Sequence, residues 1–356
     1  MVEDGREINT TELMLQLDGV EALQSLLTCR MRSQRIKNVA AEAMAYALAN
    51  GSIDRWNLPR SGMVELVSLV IQHGTSTSQE IATSVLLNAM RDDATVAEMQ
   101  SCSEMIFGLL VGQLSTGTQY GRELAAAAIW KASATGLFTH TRTAISGLVG
   151  LLRTGDEAAQ TQAAGALRSI CATDHDNKLE LNHEGGLKAL VDVIRTHSQA
   201  AEQACATIAN ACAACPENQT AAQNAGVVPT LVSLLKKHLQ TSTVSDSASL
   251  LLRFTVVSLR NICVDNTNLQ EELSSCQGDL ALVEVLWISD GSSEMLEVVT
   301  STLYHVSTHS SNARMAIRMA VRNNLGTFTA LLQDQFLTQG ARTMLLKIAE
   351  FVEVPD

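Results

Sequence analysis

One segment of the chain is written twice. "CPENQTAAQNAGVVPTLVSLLKKH" (Cys215 to His238) repeats the plan of the upstream "TDHDNKLELNHEGGLKALVDVIRTH" (Thr173 to His197), each with a glycine ahead of an apolar "LV" run. A repeat of this size constrains the fold before anything else does, because a unit that cannot bury its apolar face alone must stack on copies of itself. The same pattern, two apolar residues, a spacer and two more after a helix-breaking glycine or its equivalent, recurs at Leu23, Leu66, Leu110, Leu148, Leu190, Leu231, Leu282 and Phe328, at spacings between 38 and 51 residues.

Each anchor is followed by a stretch of small residues suited to a helix that packs closely on its neighbours. Examples are "AAEAMAYALAN" (Ala40 to Asn50), "LAAAAIWKASA" (Leu124 to Ala134), "AAGALRSICA" (Ala163 to Ala172) and "ACATIANACAA" (Ala204 to Ala214). The clearer copies also carry a short helical stretch before the anchor, as in "TELMLQLDG", "NKLELNHEGG", "NQTAAQNAG" and "LQEELSSCQG". The unit is therefore a short helix, a glycine corner, a second helix and a longer third one. Gly19, Gly186, Gly226 and Gly278 are expected at the corner, where a positive φ costs glycine little. Composition agrees: 46% hydrophobic, 3% aromatic and four prolines favour helices throughout. The widest spacing marks an insertion at "LQTSTVSDSASLL" (Leu239 to Leu252), which reads as a solvated connection open to phosphorylation.

These stretches resemble the armadillo repeat, most closely in "NQTAAQNAGVVPTLVSLLKKH…ATIANACA", with Pro229 opening a second helix. The resemblance runs over residues 10–356 and is faintest in the second and third repeats, where "DRWNLPRSG" and "AEMQSCSEM" are degenerate first helices. HEAT repeats, the nearest rival, have two helices and no need of a glycine corner. The resemblance implies an all-α, right-handed armadillo-like α-solenoid superhelix of about eight three-helix repeats. They fall at 10–50, 51–92, 93–136, 137–173, 174–215, 216–265, 266–311 and 312–356, after a tail at 1–9. The final helix, "RTMLLKIAEFVE", keeps Thr343, Lys347 and Glu350 on one side, as a repeat closing a solenoid would.

In armadillo-like proteins the third helices line a groove, and a column of asparagines on them bonds the main chain of an extended ligand. That column holds Asn88, Asn210 and Asn261 here, with Tyr46, Lys131, Ser169, His305 and Glu350 in the other repeats. An asparagine serves N–H and C=O together. Lys131, Arg168, Arg260 and His305 are further candidates beside it. Four residues earlier, where importin-α-like proteins carry tryptophans that form lysine slots, stand Glu42, Ser84, Ala127, Gly165, Ala206, Val257, Ser301 and Leu346, so recognition of nuclear signals is not expected. Eight residues before the column, Glu80, Glu123, Glu202 and Glu297 form either an acidic groove rim or merely favourable first-turn charges. As a rim they imply a basic-to-neutral partner segment, extended or helical.

The resemblance thus implies a eukaryotic, non-catalytic protein–protein scaffold or adaptor, a subunit of a larger assembly. The alternative is a client-specific chaperone, since "NVAAEAMAYALANGSIDRW" (Asn38 to Trp56) resembles the UCS domain of myosin chaperones. A net charge of −12 and a pI near 5.1 argue against nucleic acid, and the basic "RMRSQRIK" (Arg30 to Lys37) reads as a solvated turn. Eight scattered cysteines, no signal peptide at "MVEDGREINTTELM" and no apolar run near the length of a membrane span point to reduced thiols and a cytoplasmic location. The sequons at Asn9 and Asn218 then carry no meaning. No catalytic motif is present, so no enzyme activity and no cofactor are expected. "CAAC" (Cys212 to Cys215) with Cys205 reads as buried structural thiols, "DHD" (Asp174 to Asp176) as a capping loop, and His305 with His309 as too few ligands for a metal.

Overall fold

The structure is a computed structural model that describes residues 2–3, 6–7, 19–29, 33–49, 60–138, 141–196, 199–240, 246–288, 293–334 and 337–352. Two compact units, Met1–Ser169 and Ile170–Asp356, make up the chain. Beyond a two-residue antiparallel strand pair, β1 (Val2–Glu3) and β2 (Arg6–Glu7), every regular element among the described residues is helical. The all-α class expected of the sequence is the one observed.

The first unit contains α1 (Gly19–Thr28), α2 (Gln34–Ala49), α3 (Arg60–His73), α4 (Ser76–Ala89), α5 (Asp93–Met99), α6 (Ser103–Thr116), α7 (Gln119–Ala134), α8 (Ile145–Thr154) and α9, which closes it and ends at Ile170 after starting at Glu157. Short 3-10 turns at Gln100–Cys102 and Arg142–Ala144 precede α6 and α8. The first helix of the third repeat forms upstream of most of "AEMQSCSEM": Asp92 caps α5 by accepting the Thr95 N–H, and the stretch itself spans the end of α5, a 3-10 turn and the start of α6. The stretches "TELMLQLDG" and "DRWNLPRSG", up to Gly19 and Arg60, lie outside the described residues, as do Asn9 and residues 30–32 of the basic stretch; its residues 34–37 form the first turn of α2 rather than a turn before it.

The second unit runs α10 (His175–His183), α11 (Gly186–Arg195), α12 (Ala200–Cys212), α13 (Pro216–Ala225), α14 (Val227–Gln240), α15 (Asp246–Cys263), α16 (Thr267–Ser275), α17 (Gly278–Ile288), α18 (Ser293–His309), α19 (Ser311–Asn323), α20 (Leu325–Gln333) and α21 (Gln339–Val352). Much of the insertion is helix rather than loop. It lengthens α14 to 14 residues and α15 to 18, against 10 and 13 in α11 and α12, because "DSASLL" continues the apolar periodicity of α15 backwards. Residues 241–245 lie outside the described residues.

Helices of equivalent rank pack on one another within each unit: α2 on α4 and α4 on α7 in the first, and α12 on α15, α15 on α18 and α18 on α21 in the second. Small side chains allow that approach. Ser258 Oγ on α15 donates 2.7 Å to the Cys205 carbonyl of α12, a contact that larger residues would block. Of the eight anchors, all but Leu23 are 0–2% exposed and form the apolar spine. Burying each contributes about 2 kcal/mol.

The glycine corner is built differently from expectation. Positive φ falls at Gly185, Gly226 and Gln277, so Gly186 and Gly278 sit one residue beyond it. Those two are needed for space: a Cβ at Gly186 would meet Leu181 Cδ1 at 2.2 Å, and one at Gly278 would meet Leu273 Cδ1 at 2.4 Å and Val232 Cγ2 at 2.8 Å. A second device holds the corner between repeats. Asn177, Asn218, Gln270 and Arg314 each donate to the carbonyl seven residues back (Ile170, Ala211, Cys263 and Ser307), at 3.2, 3.0, 2.8 and 3.2 Å. Asn218, Gln270 and Arg314 thereby clamp a first helix onto the end of the preceding third helix within the second unit, satisfying carbonyls that the helix terminus leaves open.

Candidate functional site

On the third helices a line of residues four or eight apart reaches solvent, and it decides what they can offer a partner. On α12 only Glu202, Gln203 and Asn210 emerge. The lines on the other third helices run through Glu80, Ser84 and Asn88 on α4, Glu123, Ala127 and Lys131 on α7, Arg253, Val257 and Asn261 on α15, and Glu297, Ser301 and His305 on α18. Steps of four residues advance slightly more than one helical turn, so each set stays on one face.

Within that face the asparagines differ. Asn88 is exposed. Asn261 is engaged at both ends: its Nδ2 donates to the Ala209 carbonyl of the neighbouring helix at 2.9 Å, and its Oδ1 accepts from Arg260 Nε at 3.2 Å. Asn210, the residue after that carbonyl, is half-buried. Lys131 is exposed, Arg168 half-buried. His305 is half-buried, and burial pulls its imidazole below the usual value; Asp265 opposes this, while Arg260 and Lys347 reinforce it. Lys347 also sits over the Tyr304 ring at 4.7 Å. A basic and aromatic group therefore surrounds His305 in the second unit. The side chain of His309 lies outside the described residues.

The four glutamates do work inside the stack. Thr118, the N-cap of α7, accepts the Gly121 N–H and donates its own hydroxyl proton to Glu80 of α4. Thr338 does the same before α21, accepting from Ala341 N–H and donating to Glu297 at 3.1 Å. Thr75 bonds Glu42 in the same manner at 3.3 Å. Where Arg253 replaces glutamate in this column, it pairs with Glu294 in the first turn of α18. Through Glu80, Arg253 and Glu297 the column thus ties α4, α15 and α18 to the start of the next third helix. Glu123 meets a different cap: Asp156 caps α9 through the Ala159 N–H. Burial, and then the Asp156 charge, raise the Glu123 carboxyl above its usual range. Glu202 accepts from Gln203 Nε2 at 3.2 Å.

Sequence reasoning missed two arrangements. Trp130, three residues after Ala127 in the column where lysine-slot tryptophans would stand, lays its indole on Gly165 of the next third helix; a Cβ there would come within 2.4 to 2.5 Å of three ring atoms. It covers the position at which that repeat's own side chain would have stood. Separately, His175, Cys215 and Glu217 converge, with one ligand atom of each lying within 4.8 Å of the others. Four of the other thiols are inert by burial. Cys171, Cys205 and Cys263 are pushed up to about 12, and Cys212 rises for the same reason. Asp174 caps α10 through the Asp176 and Asn177 N–H groups, as a "DHD" capping loop should.

Solved structures share this fold. Aligned with a designed armadillo repeat protein in complex with the peptide (KR)4, the chain has 19% identity and a TM-score of 0.56, over 70% of this chain and all of that one. The fold is that of an armadillo repeat protein. An engineered protein matches over 99% of this chain and 92% of its own at 20% identity and a TM-score of 0.67. A structure described as "A conserved phosphorylation switch controls the interaction between cadherin and beta-catenin in vitro and in vivo" matches over 94% of this armadillo-fold chain and 63% of its own, at 15% identity and a TM-score of 0.69. No protein-family profile and no curated protein matches the sequence. No described helix is long and apolar enough to cross a membrane.

Proposed function

We propose that this chain is a non-catalytic scaffold that binds a segment of another protein along its third-helix faces and helps to assemble a larger complex. The observation that carries this reading is the set of solvent-reaching positions on the third helices: Asn88 with Lys131 and Arg168 in the first unit, and Asn210 with Arg260 and His305 in the second. A side-chain amide offers both a donor and an acceptor, the pair that an extended main chain needs. The similarity to a designed armadillo protein holding the peptide (KR)4 supports an extended, basic-to-neutral segment. Glu80 and Glu297 bond neighbouring threonines through one oxygen each, so the second oxygen of each carboxylate is what they bring to such a segment.

The test is affinity capture from native lysate with the wild type and an Asn88/Asn210/Asn261→Ala variant, with thermal unfolding measured in parallel. A partner held by the wild type and lost by the folded variant supports the reading. A partner held equally by both removes the third-helix faces as the interface.

A further inference from the structure

We infer that His175, Cys215 and Glu217 form a binding site for one zinc-class divalent ion at the stacked starts of α10 and α13. Successive first helices lie side by side, and Asn218 Nδ2 reaches the Lys178 carbonyl at 2.9 Å to hold that register. Equivalent positions of the two repeats therefore abut. His175 is the first residue of α10, Cys215 precedes α13, and Pro216 between Cys215 and Glu217 fixes φ at the helix entrance. Residues forty apart in the chain thus present a nitrogen, a sulfur and an oxygen to one point.

The spacing suits the chemistry. Cys215 Sγ lies 3.7 Å from Glu217 Oε2. Zinc bonds of about 2.3 Å to sulfur and about 2.0 Å to oxygen at a tetrahedral angle separate those atoms by about 3.5 Å. A few tenths of an ångström of movement in exposed side chains closes the difference. The sulfur is buried while His175 and Glu217 are exposed, so an ion would rest on the surface above the thiol. Three protein ligands leave a fourth position for water or for a donor from a partner. Thiolate and imidazole select zinc, cobalt or copper over magnesium or calcium. On binding, the thiol proton leaves to solvent and sulfur forms the metal bond. Lys178 Nζ donates to the Ala213 carbonyl at 2.7 Å, just ahead of Cys215 in the chain. The ion would staple two successive repeats in the second unit.

Glu180, His183 and Glu184 also cluster, but on one exposed turn of α10 and without sulfur, and serve as the control. The experiment titrates Co²⁺ into the full, reduced, chelator-treated chain and reads the thiolate-to-cobalt charge-transfer band, with Zn²⁺ then added to displace it. One equivalent should saturate the band. His175→Ala and Glu217→Ala, both at exposed positions, should each weaken binding at least about tenfold. Cys215→Ser should abolish the band, while Cys212→Ser and His183→Ala should leave it unchanged. Absence of the band, its persistence at full affinity in His175→Ala, or its loss in Cys212→Ser but not Cys215→Ser overturns the assignment.

Discussion

Replacing Gly165 by alanine tests whether the Trp130 indole governs packing between α7 and α9. In an isolated helix the change is favourable by about 1 kcal/mol, since glycine is a poor helix former. Here the new methyl would stand 2.4 Å from Trp130 Cδ2 and 2.5 Å from Cε2 and Cε3, more than 1 Å inside an ordinary carbon–carbon contact of about 3.5 Å. Neither partner can yield cheaply, because one is helix backbone and the other a rigid ring system. Overpacking of this kind costs about 1–3 kcal/mol. The net expectation is a loss of about 1 kcal/mol in the wild type and a gain of about 1 kcal/mol in a Trp130→Ala background, a coupling of about 2 kcal/mol. Urea unfolding followed by far-ultraviolet circular dichroism on all four proteins of the cycle measures it. If Gly165→Ala has the same effect in both backgrounds, the indole does not set the spacing and the reasoning fails.

The Glu123–Asp156 approach predicts that Glu123→Gln stabilises the chain by about 0.5 kcal/mol at neutral pH, the scale of a surface like-charge pair. Because the folded carboxyl titrates above its unfolded value, ionisation opposes folding; the advantage should vanish as pH falls below the usual glutamate range, and unfolding at pH 7 and pH 3.5 checks this. Thr338→Asp keeps a good N-cap but sets a carboxylate against Glu297, so it should lower the melting temperature even though aspartate equals or exceeds threonine as a cap. Gly226→Asn should be nearly neutral, since asparagine accepts a φ of +69°, whereas Gly278→Asn should cost about 1–3 kcal/mol by colliding with Leu273 and Val232; denaturant midpoints distinguish the two.

The stack itself was legible because its physics is local and periodic. The anchors recur with the repeat, and seven of the eight are buried. The column of Asn88, Lys131, Asn210, Asn261 and His305 came from the armadillo resemblance, and helical periodicity adds only that residues four and eight apart on one helix share a face. What failed to show depends on contacts between repeats. The glycine before "LV" was visible, but not that Gly186 serves for space while its neighbour Gly185 takes the left-handed turn. Glutamates at one position suggested a rim, yet the threonine partners of Glu80 and Glu297 lie 38 and 41 residues away in the chain. Trp130 seemed misplaced because its contact is with the following repeat. The meeting of His175 with Cys215 had one trace in the sequence: "DHD" and "CPE" occupy the same slot of successive repeats.

The most direct test of a partner bound on the third-helix faces is site-specific photo-crosslinking in native lysate. A photoreactive residue replaces Asn88 or Ser301 on these faces in one pair of proteins. In a control it replaces Ser233, which is exposed on the second helix α14. Crosslinks to the same partner from Asn88 or Ser301, and none from Ser233, are predicted. Crosslinks confined to Ser233 would place the interface on the second helices and contradict the proposed function.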